Sequence, residues 1–108
     1  MLMKSRLTVE EKDAYWNDGY LFPIDVANEI QARKWRNYLE KIEYDWLDNG
    51  LALPLNTYKR VNAQVVMPLA CEIGLHEPIL NAVEGILGPD VMLYSVEFLT
   101  KEPHTKHI

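Results

Sequence analysis

The residues best suited to chemistry fall into two short runs. Arg60, Asn62 and Gln64 alternate along Tyr58-Lys-Arg-Val-Asn-Ala-Gln64 and share one face if that segment is extended. Such a face could orient an anionic cosubstrate, with the Arg60 guanidinium as a planar fork for a carboxylate. It could equally be a hydrogen-bonded loop that anchors the next helix. The second run is Ser95, Glu97 and Lys101 near the C-terminus, all on one face if that segment is a strand. His104 and His107 stand at i,i+3 spacing beyond Pro103, but no carboxylate–histidine cluster accompanies them, and a metal site needs three or four rigidly held ligands. Cys71 lies in an apolar helical pattern with no local base or cation, so it reads as a small core hydrophobe. His76, close to Pro78, reads as a surface or capping residue. There is no Gly-rich phosphate loop, serine nucleophile elbow or Walker-type lysine. Spacing alone assembles no complete active site.

The elements that must position these residues are readable in outline. Thr8-Val-Glu-Glu11 is a capping box that opens a helix, expected to run to about Asp18 and to stop at Gly19. Tyr20-Leu-Phe-Pro23 reads as a short extended piece. Asp25 is expected to cap a long helix reaching about Asn49-Gly50. Val26, Ile30, Trp35, Leu39, Ile42 and Trp46 form its apolar stripe, and Glu29/Arg33, Arg36/Glu40 and Lys41/Asp45 lie at i,i+4 on a solvated face. Residues 51–58 read as a loop, and residues 65–74 and 78–87 as two short helices. Residues 91–100 read as a strand: Met92, Tyr94, Val96 and Phe98 make an apolar face, and the polar residues Ser95, Glu97 and Lys101 lie on the other.

Composition bounds the whole. The 108 residues carry 11 Lys+Arg against 16 Asp+Glu, a formal charge of −5, and 48% are apolar. One small domain over residues 1–108 is the most this length holds. The acidic balance speaks against nucleic acid and anionic membranes as partners. A lone cysteine rules out an internal disulfide framework. No apolar run is long enough to span a bilayer, and no signal-peptide core appears, so a cytoplasmic protein is expected.

Several stretches taken together carry a resemblance. Leu7-Thr-Val-Glu-Glu-Lys-Asp-Ala-Tyr with Asp18-Gly-Tyr-Leu comes first, then Arg60-Val-Asn-Ala-Gln. Next is Pro78-Ile-Leu-Asn-Ala-Val-Glu-Gly-Ile-Leu-Gly-Pro-Asp-Val, and last Leu93-Tyr-Ser-Val-Glu-Phe with Lys101-Glu-Pro. In this order they resemble the N-terminal part of a phytanoyl-CoA dioxygenase family protein, a non-haem iron(II), 2-oxoglutarate-dependent oxygenase. The resemblance implies an incomplete α+β chain: outer helices plus the first strand or strands of a double-stranded β-helix (jelly-roll) barrel. It implies iron(II) and 2-oxoglutarate in the intact parent, held by a His-x-Asp pair and a distant His that this sequence does not contain. Neither is therefore expected to bind this chain alone.

The resemblance also maps onto particular residues. Arg60 falls where the family has a basic group for 2-oxoglutarate, and Glu97 where a barrel strand lines the same pocket. Ser95 and Lys101 are neighbours on that face, and Gln64 stands where close relatives often have His. The expected function is a fragment of a dioxygenase that hydroxylates or halogenates a small organic substrate, inactive by itself. The unpaired strand would offer a route to self-association. The alternative is a self-contained helical binding module without catalytic activity, presenting the aromatic surface of Trp35 and Trp46.

Overall fold

The computed structural model describes residues 6–46 and 50–105. Its elements are α1 (Val9–Asp18), α2 (Glu29–Trp46), α3 (Leu55–Arg60), a 3-10 turn (Ala63–Val65), α4 (Pro68–Gly74) and α5 (Glu77–Leu87). The first helix begins and ends where its local chemistry dictates. Thr8 Oγ1 accepts from the Glu11 amide at 3.1 Å, and the Glu11 carboxylate accepts from the Thr8 amide at 2.9 Å. Gly19, at φ +84°, closes the helix in a left-handed conformation that costs glycine little.

The long helix starts later than Asp25. Asn28 is the cap, its Oδ1 accepting from the Gln31 amide at 2.8 Å, because a side-chain acceptor must sit two or three residues before the donor it satisfies. The expected end of this helix touches residues 47–49, which lie outside the described residues. All three i,i+4 ion pairs form on its exposed surface. There the Asp45 carboxylate holds the Lys41 ammonium above its ordinary value, by hydrogen bond first and by charge second. The apolar stripe is only partly used: Leu39 and Ile42 pack on the core, whereas Ile30 and Trp46 stay exposed.

Two further expectations change in the middle of the chain. Part of the expected loop at 51–58 is helical: Pro54 sets the entry and α3 follows, with Leu55 buried at 1% exposure. The run from Tyr58 to Gln64 is consequently not extended. Its first residues belong to α3, Asn62 is left-handed at φ +52°, and the 3-10 turn follows at once. The next helix begins at Pro68 rather than residue 65, with proline in the first turn where a missing N–H does no harm.

The largest correction concerns the fold class. No strand and no sheet exist among the described residues; the architecture is helical throughout, without any part of a jelly-roll barrel. Residues 91–100 form no strand because a strand needs a partner ladder, and their backbone partners here are a helix end and a turn. The Ala63 amide donates to the Val96 carbonyl at 2.9 Å, and the Phe98 amide donates to the Lys59 carbonyl at 2.7 Å. The expected apolar face splits accordingly. Val96 and Phe98 pack on the core, while Met92 and Tyr94 are 87% and 91% exposed. Leu93, from the opposite set, lies with Val96 against Gly74.

The core sits where α2, α3, the 3-10 turn and α4 meet. Leu55, Ala63, Met67 and Ala70 form its buried centre, with Leu39, Ile42, Leu51, Val96 and Phe98 around them. Cys71 is half-buried beside it, its thiol 3.2 Å from the Gln64 carbonyl oxygen. No helix of the described residues is long and apolar enough to cross a membrane.

Candidate ligand cleft at Arg60

The last turn of α3 sends two consecutive cations in different directions. Lys59 is directed inward and is 5% exposed, a burial lysine rarely tolerates unpaired. Its Nζ lies 3.0 Å from Glu43 Oε2 on α2, so the charge is met across the helix interface. Arg60 is directed outward and is exposed. The residues after Val96 then pass this turn, held by the bond from the Phe98 amide to the Lys59 carbonyl.

Phe98, Thr100 and Glu102 of this segment face the same space. With Glu43, Asn56, Lys59 and Arg60 they line a cleft of about 260 Å³. Glu102 is fixed at the rim by a turn: the Thr105 hydroxyl donates to its carbonyl at 2.7 Å, and His104 adopts φ +65° there. Among the described residues neither Arg60 nor Glu102 forms an ion pair, with each other or with any other group. Two opposite charges therefore face one cleft without meeting.

Of the residues singled out from the sequence, Arg60 alone lines this cleft. Ser95 is half-buried, Glu97 and Lys101 are exposed, and none of the three is on its wall. The two runs do come together, through different atoms. Gln64 Oε1 accepts from the Val96 amide at 3.0 Å, and its amide nitrogen lies 3.5 Å from Asn62 Oδ1. Gln64 is thus an anchor for the segment that holds Val96. Glu43, Asn56, Lys59 and Glu102 escaped sequence reasoning, since nothing local marks residues drawn from three separate elements. The adjacency of Lys59 to Arg60 was the one signal available.

The other candidates have structural surroundings. His76 occupies the N-cap position of α5, its Nε2 2.7 Å from the Val26 carbonyl oxygen. Its ring meets Trp35 edge-to-face at 4.9 Å between centroids. The Trp35 indole nitrogen is buried there and has no acceptor among the described residues, so this ring is packing surface rather than an exposed platform. His104 is exposed, and His107 lies outside the described residues. No group of three or more His, Cys, Asp or Glu among the described residues could hold a metal ion. Compared with protein-family models, curated proteins and solved structures, the chain gives no match.

Proposed function

We propose that this chain is the helical part of an iron(II)/2-oxoglutarate-dependent oxygenase of the phytanoyl-CoA dioxygenase type, whose parent hydroxylates or halogenates a small organic substrate in the cytoplasm. One observation carries the reading. The stretches Arg60–Gln64 and 93–98, on which much of the resemblance rests, are drawn together by hydrogen bonds that Lys59, Ala63 and Gln64 make with Val96 and Phe98. Segments so far apart in sequence thereby act as one unit. The small core supports the same reading, since a helical layer meant to cover something larger leaves apolar side chains outside.

The chain by itself is proposed to be inactive. Its described residues do not fit iron, for no ligand cluster is present. The cleft at Arg60 does not fit the 2-oxoglutarate dianion either, because Glu43 and Glu102 balance Lys59 and Arg60. Both groups would be held by sequence outside these residues. The test is the intact mass of the native protein and its reading frame beyond Ile108. A His-x-Asp pair soon afterwards, and succinate formation from 2-oxoglutarate by the full-length protein with iron(II), are the expected results. A native product without that pair overturns the proposal.

A second reading, a helical interaction module, draws on the exposed aromatic residues Trp16, Tyr20 and Phe22, which are 67%, 65% and 82% exposed. A cooperative unfolding transition of a monomeric 108-residue chain would favour it over the oxygenase fragment.

A further inference from the structure

We propose that the cleft between α3 and the C-terminal segment is a binding site for a small zwitterion, a molecule carrying a carboxylate at one end and an ammonium at the other. The proposal does not rest on the oxygenase reading; it rests on how charge is arranged around the cleft.

Four ionic groups line it, and two of them are already satisfied. Lys59 and Glu43 meet at 3.0 Å, with the lysine side chain 6% exposed, so this pair forms a neutral inner wall. What remains is Arg60 and Glu102, facing the same space and, among the described residues, paired with nothing. The Arg60 guanidinium offers several N–H donors in a plane that matches a carboxylate. The Glu102 carboxylate accepts from an ammonium. Phe98, on the same segment as Glu102, lines the cleft and supplies an apolar wall for a short methylene chain. Asn56 and Thr100 provide neutral donors and acceptors to complete the hydration that either end gives up.

Charge decides which ligands are excluded. A dianion gains Arg60 and meets Glu102 as a like charge; a dication has the converse difficulty. Only a ligand with both signs finds complementary groups at each end, and unlike charges left unmet are the reason such a ligand binds in preference to its symmetric analogues. Size sets a second limit. A cleft of about 260 Å³ is at the small end for ligand sites, which restricts the occupant to a compact metabolite-sized molecule.

Three probes of similar length separate the possibilities: 5-aminopentanoate (zwitterion), glutarate (dianion) and 1,5-diaminopentane (dication). Each is titrated into the 15N-labelled full chain at constant ionic strength, following the amides of Arg60, Phe98 and Thr100. The expected result is saturable shifts with 5-aminopentanoate, at an affinity at least tenfold above the other two. Arg60→Gln is expected to cut zwitterion affinity at least tenfold with unchanged far-UV circular dichroism, and Glu102→Gln likewise. Equal binding of all three, tighter binding of glutarate, or no saturable shift with any probe overturns the proposal. None of these outcomes bears on the reading frame beyond Ile108, so the two proposals stand or fall apart.

Discussion

Lys59 of α3 and Glu43 of α2 form an ion pair, Nζ to Oε2 at 3.0 Å, with the lysine almost wholly enclosed. Removing one member leaves the other without its counter-charge, and a buried charge so stranded is costly. Glu43 is about one-third exposed, so water softens the loss. Glu43→Gln is expected to lower stability by roughly 1–3 kcal/mol in urea denaturation. Lys59→Met, which keeps the packed stem and deletes the charge, is expected to cost less than Glu43→Gln. Negligible losses in both variants would show that the pair contributes no net charge interaction.

Gln64 and Val96 give a sharper local test. Gln64→Leu removes the acceptor of the Val96 amide and leaves that donor unmet at a half-buried site, an expected loss of about 1–3 kcal/mol. Gln64→Glu keeps an acceptor and should restore most of it. Hydrogen exchange at Val96 reads the bond directly: faster in the leucine variant, close to the parent rate in the glutamate variant.

Thr8→Ala tests the start of α1. Its loss should cost about 0.5–2 kcal/mol, expressed as fraying of residues 9–18 and not as global unfolding, since no residue of α1 is buried. Equal loss of amide protection in α4 would contradict that assignment.

Gly85 is the seat of Leu7. A Cβ placed there would lie 3.2–3.3 Å from the Leu7 side chain, which is 7% exposed. Gly85→Val is expected to displace Leu7 from α5 and to cost on the order of 1–3 kcal/mol by overpacking. Pairing it with Leu7→Ala should recover part of that loss, a coupling readable in a double-mutant cycle.

Met92 and Tyr94 are 87% and 91% exposed, and neighbouring exposed apolar side chains of this size invite association. Concentration-dependent sedimentation of the chain is expected. The double variant Met92→Lys, Tyr94→Lys should shift it toward monomer, and unchanged sedimentation would remove this segment as the contact.

Reading the sequence succeeded where structure is set by near neighbours. The Thr8–Glu11 box, the Gly19 stop, the charge pairs on α2 and the helix following His76 are all decided within about four residues, and all appear. Residues 91–100 show the limit. Their apolar alternation suggests a strand, but whether such a segment becomes one depends on what lies beside it, and here that is a helix end and a turn. The same dependence hid the cleft. Which parity of residues 97–102 would line it follows from the Phe98–Lys59 bond, and no local pattern encodes that contact. Arg60 was legible as a chemical group; Glu102 became its companion only through folding.

The bonds that reach residues 96 and 98 also fix an order of events during synthesis. Ala63 is wholly enclosed and its amide has Val96 as acceptor, while Gln64 waits for a partner 32 positions downstream. At roughly 5–20 residues per second, a translating ribosome delivers that partner some seconds after α3 has been made. In that interval the Ala63 amide is left to water and the apolar cluster lacks the wall that Val96 and Phe98 supply.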